Sequence, residues 1–130
     1  MPDASELLVY AQVGPTIEVT SWVGSPVAGA TTKFQIKVTR DHDPINDAVV
    51  TIQVKDYNGT IVYPPSGIGS SIVSRDMRFA GTYMIVPDRT DIFKLSGTQY
   101  EVIWNISTPA TTIYPASVLP FVQRFVAQDP

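Results

Sequence analysis

The sequence predicts an all-β chain, a two-sheet antiparallel sandwich of seven to nine strands with almost no helix, and three observations carry that expectation. Phe34, Ile36 and Val38 alternate with Lys33, Gln35, Lys37 and Thr39, and Val50, Ile52 and Val54 alternate with Thr51, Gln53 and Lys55. A period of two marks a strand with one buried and one wet face. Asn58-Gly59 follows the second run, and this pair tolerates the positive φ of a tight hairpin turn. No long stretch places apolar side chains at i, i+3, i+4 and i+7 without an intervening Gly or Pro, so no amphipathic helix is expected.

The other elements follow in order. Leu7, Val9, Ala11 and Val13, then Ile17, Val19, Ser21 and Val23, form alternating runs broken at Gly14-Pro15. They read as two short strands or one kinked strand. Residues 1–15 are an extended arm or first strand of a single domain covering 1–130. Gly24 to Ala30 is a turn-rich loop, and the polar segment Arg40 to Asp47, with Pro44, is too short for a helix. With Asn58-Gly59 as a two-residue loop, Val54 faces Tyr63 and Asp56 faces Ile61, which puts Val54, Ile61 and Tyr63 on one face. The Pro- and Gly-rich run after Tyr63 is a loop.

Ile72 to Phe79 and Thr82 to Val86 read as strands separated at Ala80-Gly81. In the connection Pro87 to Ser96, Ile92, Phe93 and Leu95 are placed to plug one end of the core. Tyr100, Val102, Trp104 and Ile106 alternate with Glu101, Ile103, Asn105 and Ser107, the clearest strand of the second half. Thr108 to Pro120 contains three prolines and reads as a long loop before a last strand, Phe121 to Ala127.

Composition narrows the function. The chain has 130 residues, 44% hydrophobic and only 16% charged, with a net charge of −3. Such a length buries a single core, and the balance lacks the basic stripe that nucleic acid requires. There is no cysteine, hence no disulfide framework and no thiolate metal site. The start MPDASELLVYAQVG lacks the basic and continuous apolar regions of a secretory signal, and no apolar run approaches a bilayer span. The expectation is a chain made and kept inside a cell, released within a larger particle, or forming part of a longer polypeptide, with neither nucleic acid nor membrane as partner.

The sequence offers little catalytic or metal-binding chemistry. His42 is the only histidine, between Asp41 and Asp43 with Asp47 nearby; that spacing fits no ligand pattern, and Asp populates turns for its own reasons. Asp88-Arg89-Thr90-Asp91 lacks the carboxylate ladder of a calcium loop. There is no G-x-S-x-G elbow and no phosphate-binding glycine motif. Glu6, Glu18 and Glu101 read as solvent-facing strand positions. Asn58-Gly59-Thr60 and Asn105-Ile106-Ser107 match the glycosylation pattern by coincidence. No catalytic residue, no metal and no cofactor is expected. The aromatics stand out instead: Tyr10 and Trp22 have the parity opposite to their apolar neighbours, and Tyr114 lies in the Thr/Pro loop. These three are the candidate partner-binding residues.

Pro44 to Val62 (PINDAVVTIQVKDYNGTIV), Ala80-Gly81-Thr82-Tyr83 and Ser96-Gly97-Thr98-Gln99-Tyr100-Glu101-Val102 resemble the alternating-valine, Asp-x-Asn-Gly and Gly-x-Tyr patterns of bacterial and phage immunoglobulin-like domains. In those domains the Tyr packs at a sandwich corner. The resemblance spans roughly Thr16 to Ala127 and lacks the cysteine pair of antibody-type domains. It implies an immunoglobulin-like Greek-key sandwich, with an immunoglobulin, fibronectin-like or other strand order left open. It further implies a non-catalytic structural protein, a phage virion component such as a capsid decoration, neck or tail subunit. That protein would dock to other subunits of a homo- or hetero-oligomeric assembly through strand edges and loops. The alternative is an adhesin-like or carbohydrate-binding domain, at a cell surface as part of a longer chain, in which Tyr114 stacks on sugar.

Overall fold

The computed structural model describes residues 6–12, 17–24, 29, 32–87, 92–94 and 97–127, with the backbone alone over 6–12. Among these residues every regular element is a strand and none is a helix. The strands are β1 (Glu6–Gln12), β2 (Ile17–Gly24), β3 (Lys33–Arg40), β4 (Asp43–Pro44), β5 (Val49–Lys55), β6 (Ile61–Tyr63), β7 (Ser71–Arg75), β8 (Thr82–Ile85), β9 (Gln99–Thr108) and β10 (Ser117–Val126). All pair antiparallel along one unbroken path, β1-β2-β3-β8-β7-β5-β9-β10, with β4 beside β3 and β6 beside β5.

The path stays continuous because β7 is shared. Its first residues pair with β5, Val50 with Val73 and Ile52 with Ser71, while its last pair with β8, Ser74 with Met84 and Arg75 with Tyr83. The ladder curls there, and its two halves contribute to one core. Ser21 on β2 donates to Gln123 on β10 across that core at 2.9 Å, both side chains buried.

Alternation does what the pattern predicts. Phe34, Ile36 and Val38, Val50, Ile52 and Val54, and Tyr100, Val102, Trp104 and Ile106 are all buried, which removes their apolar area from water at about 25 cal/mol per Å². Ile92 and Phe93 do plug one end, fully buried although outside any strand. Leu95, the parity of Leu7, Val9 and Val13, and the Asp88 to Asp91 loop lie outside the described side chains.

Three boundaries differ from expectation. Val54 faces Tyr63, but Lys55 rather than Asp56 faces Ile61, with a bulge between Val54 and Lys55. The cause is Asp56, whose Oδ1 accepts the Asn58 and Thr60 N–H groups at 2.9 and 3.0 Å. This widens the turn, while Gly59 takes the left-handed φ of 80°. The shift packs Val62 against the core and sets Ile61 beside Lys55. The strand expected from Ile72 to Phe79 runs from Ser71 and stops at Arg75, because Asp76 folds the chain into a turn. Finally, β10 begins at Ser117. Pro120 is accommodated because β10 ends the path, so one of its edges needs no donor.

Tyr83 sits at the join between halves. Buried in β8, its hydroxyl donates to the Ile45 carbonyl at 2.7 Å and accepts the Ala48 N–H at 2.9 Å, tying the β4–β5 connection to the sheet. Burial pushes its phenol above the ordinary value despite the Ala48 hydrogen bond. Tyr83→Phe leaves both backbone groups short of a partner and is expected to cost about 1.5–3 kcal/mol, read from the midpoint of urea unfolding. A midpoint unchanged from the parent would show that the hydroxyl is dispensable.

Candidate interaction surface

The outward face of β2 and β3 carries the first site. The same alternation that buries Ile17, Val19, Ser21 and Val23 turns Glu18, Thr20 and Trp22 outward, where they are half-buried. Register sets Trp22 in a cross-strand row from Leu8 through Gln35 to Met84. Tyr10 lies in β1 opposite Thr20, and its side chain is outside the described residues.

The turn after β7 reaches over this face. Asp76 holds it: its Oδ1 accepts the Arg78 N–H and Nε, each at 3.1 Å, and its Oδ2 accepts Nη2 at 3.0 Å. The Arg78 guanidinium lies 5.5 Å from the centre of the Phe79 ring. Phe79, 56% exposed, and Trp22 then line a cleft of about 330 Å³ with Gly24, Lys33 and Gln35. An ammonium, an amide and two rings lining one cleft suit an apolar or planar group bearing acceptor atoms, such as a side chain of a partner loop.

The Arg78 hydrogen bonds and charge, with a contribution from the Lys33 charge, hold the Asp76 carboxyl below its ordinary value. A depressed folded-state pKa stabilises above the ordinary carboxylate range and ceases to do so as pH falls through the folded value. The parent is therefore expected to lose more melting temperature than Asp76→Asn on acidification below about pH 4, followed by circular dichroism. Parallel losses in both proteins would refute this role.

Tyr114 lies at a different site, whose lining shares no residue with the Trp22 cleft. Thr111 shapes its loop, with Oγ1 accepting the N–H groups of Ile113 and Tyr114 at 3.2 and 2.9 Å. The Tyr114 hydroxyl donates to Asp41 Oδ2 at 2.7 Å, and the Arg40 guanidinium lies 4.4 Å from its ring centre while bonding Thr108 Oγ1 at 3.3 Å. The Asp41 carboxylate, by accepting that hydrogen bond from the protonated phenol, raises the phenol above its usual value. Asp41 and His42 adopt left-handed φ of 49° and 72°, and Glu18 steadies the turn by accepting the His42 N–H at 3.1 Å. Between these loops runs an open groove of about 580 Å³. Tyr114 is thus bonded within its own chain, and the exposed apolar side chain of that loop is its neighbour Ile113.

Parity places Trp22 outward, as the structure does, but puts Phe79 in a strand; Asp76-x-Arg78 before Ala80-Gly81 is the sequence signal of the turn that carries it. His42 Nδ1 turns to Glu18 Oε2 at 3.9 Å, and among the described residues no three of the His, Asp and Glu side chains are grouped to hold a metal. None of their helices is long and apolar enough to cross a membrane, because there is none. Comparison with family models, with curated proteins and with solved structures finds no match to this chain.

Proposed function

We propose that this chain is a non-catalytic docking module, an immunoglobulin-like sandwich in which the two halves of the curled ladder act as the two layers, serving in a virion or comparable particle. The observation that carries the reading is the use to which its polar groups are put. Asp41 and Tyr114, and Asp76 and Arg78, hydrogen-bond to each other, Asp56 bonds turn backbone, and Arg40 bonds the Thr108 hydroxyl while lying against the Tyr114 ring, which makes loops rigid, while Trp22, Phe79 and Ile113 meet solvent. Rigid loops with outward aromatic and aliphatic side chains are what a docking surface needs, since little ordering entropy is then lost on binding.

The full chain, tagged and expressed in its native source, is expected to co-sediment with a discrete particle and to be located on it by tag-directed electron microscopy. Trp22→Ala with Phe79→Ala is expected to release it without unfolding it. A chain that sediments only as a free species, under conditions where particles form, overturns the proposal.

A further inference from the structure

The outward face of the β7-β5-β9-β10 half has an unusual composition. Register aligns Val49, Ser107 and Val118 in one row, Ile72, Thr51, Asn105 and Pro120 in the next, and Gln53, Ile103 and Val122 in a third. Beyond them come Lys55, Glu101 and Arg124, the last two paired at 2.9 Å, and then Gln99 and Val126. Charge is thus confined to one row. Val118 and Ile72, at opposite sides of the face, are 71% and 70% exposed. A patch depleted of charge with aliphatic side chains standing out of it is the composition of an interface centre.

We infer that this face binds a second copy of the chain, sheet against sheet, in a two-fold dimer. The inference rests on the docking reading above and names one surface and its occupant. Four strands at their ordinary spacing and the length from Val118 to Val126 give a face of about 19 by 27 Å, roughly 500 Å² per copy and about 1,000 Å² for the pair, the lower bound of a biological interface. A face whose charges, Lys55, Glu101 and Arg124, lie in one row of mixed sign is compatible with itself across a two-fold axis, where a face charged with one sign throughout would repel its copy. Strand addition at the free edge of β10 is the competing geometry. Pro120, without an N–H inside that edge strand, interrupts the ladder such addition requires.

The full chain is expected to show twice its 14.2 kDa mass by light scattering at concentrations of about tens of micromolar. Val118→Glu with Val122→Glu, both at exposed positions, is expected to weaken association by about a hundredfold or more while leaving circular dichroism and melting intact. Ile72→Glu, three strands from the β10 edge, is expected to do the same, and Ile113→Glu to change nothing. A monomeric parent overturns the inference. So does an Ile72→Glu dimer alongside a monomeric double variant, which would assign the contact to the edge. A monomer still carried by the native particle would overturn the dimer alone and leave the docking reading standing.

Discussion

Gly81→Ala is expected to cost about 2–5 kcal/mol, a large share of the stability of a domain this size. Gly81 has φ of 67°, and a Cβ there would stand 2.7 Å from the Val38 carbonyl oxygen and 2.8 Å from the Pro44 Cβ. The left-handed conformation alone costs a non-glycine residue about 1–2 kcal/mol. The close neighbours are backbone and a ring, which cannot rotate away, so relief requires moving β3 from the β7–β8 turn. That movement would lengthen the 2.8 Å bond from the Val38 N–H to the Gly81 carbonyl and the 2.7 Å bond from the Gly81 N–H to Asn46 Oδ1. Asn46 also accepts from Arg75 Nη2 at 2.6 Å, so the damage reaches β7, where the two halves join. Equilibrium urea unfolding followed by circular dichroism measures it. A loss under about 1 kcal/mol would show that the backbone relaxes here without difficulty.

Phe93→Ala is expected to cost about 3–5 kcal/mol, the range for emptying a fully buried aromatic site. Phe93 belongs to no strand, yet its ring meets Phe34 of β3, Tyr100 of β9 and Phe125 of β10 edge-on at 6.1, 5.1 and 5.1 Å. It therefore joins both halves of the ladder at one end of the core, and alanine would leave a void that three separate elements must collapse to fill. Phe93→Leu, which keeps most of the volume, is expected to cost distinctly less, and Ile113→Ala, at 79% exposure, less than about 0.5 kcal/mol. The same unfolding experiment compares all three. Equal losses for the alanine and leucine variants would mean that ring geometry rather than filled volume holds this end together.

Particular residues show how far the sequence reached. Parity alone places Trp22 on the outward face, because which side a residue takes in a strand depends only on its neighbours in the chain. The sequence marks Tyr114 as a loop aromatic, but not its engagement by Asp41 and Arg40, because those residues lie more than sixty positions away. Phe79 was misplaced for a related reason: its run is apolar enough for a strand, and only the closure of Arg78 onto Asp76 bends it over the Trp22 cleft.

The start of β10 failed in the opposite sense. Three prolines between Thr108 and Pro120 argued for a loop, and for an interior strand that argument would hold. Pro120 sits within a strand because β10 is last on the path, and strand order is not written in local pattern.

The amino-acid sequence by itself determined the strand class, the inward and outward faces of β2, β3, β5 and β9, and the end-plugging role of Ile92 and Phe93, since apolar period and turn residues act over a few positions. Only the tertiary structure decided the single curled path through β7, the bulge after Val54, the cleft between Trp22 and Phe79, and the confinement of charge to one row on the outer face of β5, β9 and β10. Each of these depends on which distant strands become neighbours, and that is settled by filling one core from both halves at once.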